Sequence, residues 1–152
     1  MTPHPSIMLG LRADDRELRD PLEGWVRRLG FRTRFTTDVR EALHWLGRED
    51  FAASIVDSWL GRDEGEEVWR SIRPAFARRT VLLARDQHRG LWFEALRSGV
   101  ATVLPLPPRE SMVRAAVAAA THAWRDGRYA TDGVNPAGAN SPRRRRDAWD
   151  TN

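Results

Sequence analysis

A chain of 152 residues with 41% hydrophobic content can bury one core and carry tails besides, and its lack of cysteine excludes disulfides and thiolate metal sites. All 25 basic residues are arginine, so the pI near 11.0 reflects the very high pKa of the guanidinium rather than a large excess of charge. The formal net charge is +4, of which the segment from Ser141 onward carries +2, leaving too small an excess for the basic face of a nucleic-acid-binding fold.

The opening MTPHPSIMLGLR has no charged-then-apolar leader, and no stretch approaches the roughly 20 apolar residues of a membrane span. A cytoplasmic protein without membrane contact is expected. Residues 7 to 11 (IMLGL) read as a short buried strand, after which Leu22, Trp25, Val26 and Leu29 recur at helical spacing until Gly30 ends the helix. Asp20, Pro21 and Glu23 look like N-cap, first helical position and capping-box acid, which would start that helix late. Residues 31 to 35 alternate as a half-exposed strand, and Asp38 with Glu41 opens an amphipathic helix carrying Val39, Ala42, Leu43 and Leu46.

The third strand is FAASIVD (51 to 57), followed by a loop and a helix through Val68, Trp69 and Ile72 that Pro74 is expected to stop. TVLLA (80 to 84) is the fourth strand, GLWFEALRSG (90 to 99) the fourth helix, VATVL (100 to 104) the fifth strand. The last helix is expected from about Arg109 to about Trp124. Five strand-then-helix units in series predict an α/β fold, a parallel sheet with helices on both faces. From Asp126 the pattern gives way to Gly, Asn, Pro and Ser and then to RRRR (143 to 146). The expected division is a domain over 1–125 and a disordered basic tail over 126–152.

In an open parallel sheet chemistry collects at the carboxyl ends of the strands, and Asp57 stands at such an end. With a second acid from the end of the first strand, a carboxylate there can hold a hard divalent cation through oxygen; equally, an Asp at that point can simply cap a turn. The four histidines show no pair at metal-ligand spacing, and no Gly-rich phosphate loop or nucleophile elbow is present, so no independent enzyme is expected. Four arginines beside two aspartates at the end of the chain read as a solvated tail, and a nucleic-acid partner is not expected.

Over about residues 6 to 124 the chain resembles the receiver domains of bacterial two-component response regulators. The resemblance is carried by IVDSWLGRDEGEEVWRSIR (55 to 73), EALRSGVATVLPLP (94 to 107) and RRLGF (27 to 31), with Asp57 and Gly65 eight residues apart and with Ala95, Leu96, Gly99 and Pro107 in place. It implies a doubly wound five-stranded sheet of order 2-1-3-4-5 and Asp57 as phosphoacceptor. It further implies Mg²⁺ held by Asp57, the backbone carbonyl of Trp59 and acids after the first strand. Counting back from Gly30, the paired acids fall on Ala13 and Asp14; counting from the strand they fall on Leu11 and Arg12, so that Asp14 and Asp15 reach back from a loop. Asp14, and after it Asp15, is the expected metal ligand.

The resemblance implies as partners a sensor histidine kinase or phosphotransfer protein, and a downstream protein at the face of the fourth helix, fifth strand and fifth helix, where Trp92 and Phe93 lie. A homodimer is left open. The departures fall on the working positions: Ala84 replaces the hydroxyl residue ending the fourth strand, Leu106 the lysine after the fifth, Val103 the aromatic residue within it. The expected function is that of a single-domain response regulator with Asp57 as phosphoacceptor switch; the alternative is a phosphorylation-independent pseudo-receiver acting as an interaction module. Arg85 and Arg12 are candidates for the missing positive charge, although an arginine at either position is more commonly a solvated surface residue.

Overall fold

The computed structural model describes residues 5–13, 15–62, 65, 68–85 and 89–133. The elements run β1 (Ser6–Gly10), α1 (Arg16–Arg28), β2 (Arg32–Thr36), α2 (Val39–Arg48), β3 (Ala53–Asp57), a 3₁₀ turn (Val68–Ser71), α3 (Pro74–Ala77), β4 (Thr80–Ala84), α4 (Arg89–Arg97), β5 (Thr102–Pro105) and α5 (Glu110–Gly133). The strands form one parallel sheet in the order β2-β1-β3-β4-β5, the doubly wound topology expected.

Strand alternation divides the core into two. Ile7 and Leu9 of β1, Ile55 of β3 and Val81 and Leu83 of β4 face Leu22 and Val26 of α1 and Val113 and Val117 of α5. Met8 and Val56 face α2 on the other side, and Leu82 and Ala84 pack with Trp69, Ala95 and Val103. β3 and β4 are buried along their whole length, as their unbroken apolar runs require of central strands covered on both faces. Asp57 shares the parity of Ile55, which places it on the α1 and α5 face, in register with Leu83 of β4.

Two helix ends follow the sequence closely. Gly30 (φ +93°) and Gly99 (φ +94°) occupy the left-handed position after α1 and α4. Their N–H groups reach the carbonyls of Arg27 and Leu96, and the next residues, Phe31 and Val100, bond to Val26 and Ala95. This double bond satisfies the terminal carbonyls, and a side chain at either glycine would clash with its own backbone. At the start of α2, Asp38 accepts a hydrogen bond from the Arg40 N–H at 2.8 Å. Asp38→Ala is expected to cost about 1 kcal/mol in urea unfolding; a loss below about 0.3 kcal/mol would mean that the cap contributes nothing.

Three expectations are corrected. α1 starts at Arg16, one turn before Asp20, and contains Pro21. Pro21 lies on an exposed stretch of the helix, where the lost N–H is cheapest, and Glu23 pairs with Arg19 at 3.0 Å rather than closing a capping box. Pro74 begins α3 instead of ending a helix, because its fixed φ and missing N–H suit a first helical position. α5 runs on to Gly133, past its expected end near Trp124, since extending a formed helix costs far less than nucleating one. Residues 134–152, with the RRRR run, lie outside the described residues. Among the described residues no helix is long and apolar enough to cross a membrane.

Candidate functional site

The site lies at the carboxyl edge of the sheet, where β1, β3 and β4 end side by side. Asp57 ends β3 with no exposed surface. Its Oδ1 accepts a hydrogen bond from the Trp59 N–H at 2.9 Å, a local turn in which the carboxylate caps the chain that follows it. Its Oδ2 accepts from the Arg85 Nε and also lies 2.8 Å from Arg85 Nη2. Arg85 directly follows β4, the neighbour of β3, so its side chain leaves the backbone beside the Asp57 carboxylate.

The same Nη2 hydrogen-bonds Oδ2 of Asp15, the residue preceding α1. Asp15 occupies the N-cap position of that helix yet makes no side-chain capping bond, because its carboxylate is engaged by Arg85. One guanidinium therefore ties β3, β4 and the start of α1 together. Partial burial alone would lower the pKa of Arg85, but its hydrogen bonds and charge attraction to Asp57, and then to Asp15, outweigh that and raise it above the ordinary arginine value. Arg85 thus stays charged throughout the working pH range. A buried carboxylate is tolerable only with such a partner.

Trp59 stands against this ion cluster. The guanidinium of Arg85 lies 5.5 Å from its ring centroid, with Arg62 at 4.5 Å and Arg12 at 5.6 Å, all within cation–π range. Beside the cluster opens a cavity of about 590 Å³, lined among others by Asp15, Trp25, Trp59, Arg85, Leu106 and Pro107. The Leu106–Pro107 peptide bond is cis.

The structure brings Asp57, Asp15 and Trp59 together, while Asp14 lies outside the described residues. β1 ends at Gly10, Leu11 follows it fully buried and Arg12 comes next. Asp15 reaches back toward Asp57, and the first group it meets is Arg85. The Trp59 carbonyl already accepts the Arg62 N–H at 2.9 Å. Among the described residues no group of three or more His, Asp or Glu side chains could hold a metal ion.

Ala84 is buried at the end of β4 and paired with Pro105, and Leu106 packs against the α1 and α5 core, so neither brings a polar group to Asp57. Arg85 is the residue hardest to place from sequence, because it reads as one more surface arginine; its position next after the strand that neighbours Asp57 is the signal that marks it. On the flank, Phe93 and Leu96 of α4 are exposed at 68% and 51%, whereas Trp92 is partly buried against the Trp69 cluster.

No protein-family model and no curated protein matches the sequence. Solved structures do match. The signal receiver domain assigned to a Luxo repressor protein of Vibrio parahaemolyticus superposes with a TM-score of 0.71 at 16% identity, covering 87% of this chain and 100% of its own. The chain has the receiver fold. A receiver domain of an HD domain-containing protein from Pseudomonas fluorescens Pf-5 gives a TM-score of 0.68 at 20% identity, over 84% of this chain and 94% of that one. The receiver domain of a sensor histidine kinase from Pseudomonas aeruginosa PAO1, whose active-site cleft coordinates a magnesium ion, gives 0.62 at 20% identity, over 76% of this chain and 95% of that one. At these identities the likeness concerns the receiver fold and its topology, and the chemistry of the site rests on this chain's own residues.

Proposed function

We propose that this receiver-fold domain is a non-enzymatic component of two-component signalling that works as a phosphorylation-independent interaction module. The observation that carries this reading is the state of Asp57. Both of its carboxylate oxygens are hydrogen-bonded within the protein, Oδ1 by the Trp59 N–H and Oδ2 by Arg85, and the side chain is fully buried. A phosphoryl acceptor needs one oxygen free to attack in line and a positioned set of partners to stabilise the transferred group. Ala84 and Leu106 offer no hydroxyl or ammonium to that group, and Arg85 is already committed to two carboxylates.

A partner-binding role is supported by Phe93 and Leu96 on α4. They stand one turn apart, solvent-exposed, on the face that meets downstream proteins in receiver domains. The runner-up reading, Asp57 as phosphoacceptor for a histidine kinase or phosphotransfer protein, is favoured by one observation: Arg85 lies where a cation could meet a phosphoryl group on Asp57. Intact-mass spectrometry after incubation with acetyl phosphate and Mg²⁺, with Asp57→Asn as control, separates the two. No adduct on the folded wild type is expected; an adduct on the wild type that is missing from Asp57→Asn would overturn the interaction-module reading.

A further inference from the structure

The resemblance calls for a divalent cation between Asp57 and an acid after the first strand, and the residues as arranged do not fit one. The Oδ2 atoms of Asp57 and Asp15 lie against the same guanidinium: Asp57 Oδ2 accepts from Arg85 Nε and sits 2.8 Å from Nη2, and that Nη2 donates to Asp15 Oδ2. A positive group therefore occupies the space between the two carboxylates that a metal ion would need. We propose that Arg85 is the resident cation of this acid pair, replacing a divalent metal, and that its removal opens a divalent-cation site made of Asp57, Asp15 and the Trp59 carbonyl.

The geometry supports the exchange. Two oxygens in close contact with one nitrogen, here Nη2, lie at most two such contact lengths apart, roughly 6 Å, and an octahedral Mg²⁺ spans about 4 Å between opposite oxygen ligands, so closure needs only a small shift. The charges also agree. With Arg85 the pair carries a net −1; without it, −2, which a divalent ion balances and which is otherwise left partly buried. In the wild type an incoming cation meets the guanidinium, with Arg12 and Arg62 against the neighbouring Trp59 ring, and like charge keeps it out. The commitment of the Asp15 carboxylate to this cluster instead of to its own helix N-terminus is independent of Asp57 and points the same way.

This inference rests on the reading of Asp57 as an anion already engaged, yet the two fail separately, because phosphoryl labelling reports on the wild type and the cation response on Arg85 variants. The experiment is thermal unfolding of the wild type, Arg85→Ala and the bulkier Arg85→Gln in EDTA and with increasing MgCl₂ or MnCl₂. At saturating ion the variants are expected to gain about 4 °C or more in Tm, the wild type to stay unmoved, and the double variant Asp57→Asn/Arg85→Ala to lose the response. A wild type that gains as much as the variants would overturn the proposal. So would a folded Arg85→Ala or Arg85→Gln with no gain, or a double variant that still responds. Arg85→Gln keeps most of the side-chain volume, and its response decides the question if Arg85→Ala does not fold.

Discussion

In metal-free buffer, Arg85→Ala is expected to lower the unfolding free energy at neutral pH by about 3–5 kcal/mol, the cost of leaving a buried carboxylate without its partner. The Asp57 carboxylate has no exposed surface, and among the described residues the Trp59 N–H would be left to serve it. Three elements also lose their common tie, since Arg85 links β4 to both Asp57 and Asp15. Adding Asp57→Asn should recover much of the loss: Asn carries no charge, and its carbonyl oxygen can still accept the Trp59 N–H. Urea unfolding of the wild type, the two single variants and the double variant measures this coupling as a thermodynamic cycle. A loss under about 1 kcal/mol for Arg85→Ala would show the triad to be a loose surface pair, and the engaged state of Asp57 would no longer follow.

The second large effect is expected at the opposite face of the sheet. Leu82 has no exposed surface and packs with Trp69, Ala95 and Val103 beneath α4. Leu82→Ala truncates the side chain at a site between a sheet and a helix that can relax only partly, so about 2–5 kcal/mol should be lost. Phe93→Ala, on the outer side of the same helix, should change stability by no more than about 0.5 kcal/mol, because that ring is mostly in water. If Phe93→Ala weakens partner binding while Leu82→Ala weakens only the fold, the outer face of α4 is the docking face. Equal losses of stability in the two variants would show that Phe93 is part of the core.

The legible elements are those in which one residue type settles one local question. The runs ASIVD and TVLLA are apolar almost without interruption, and a strand covered on both faces uses such a run, so β3 and β4 are readable and with them the parallel sheet. Gly30 and Gly99 are readable as helix ends because the left-handed turn there excludes side chains. Pro21 and Pro74 mislead for a related reason. A proline restricts its own φ and donates no hydrogen bond, but whether a helix starts at it, ends before it or runs through it depends on what the neighbouring turns bury.

Alone, the sequence determined the alternation of strands and helices and the place of Asp57 at a strand end, since hydrophobic period and turn chemistry act over a few residues; the strand order was what the receiver resemblance implied. It also showed that Ala84 and Leu106 bring no polar group to that end, because an alkyl side chain has none in any fold. Only the tertiary structure decided which of 25 arginines faces Asp57. Arg85 is 28 residues from Asp57 and 70 from Asp15, and the three meet because the parallel crossovers return every strand to the same edge. Whether a charge finds a partner or water depends on that return of the chain, since electrostatic pairing is set by distance in space and by burial, and neither is written in local sequence.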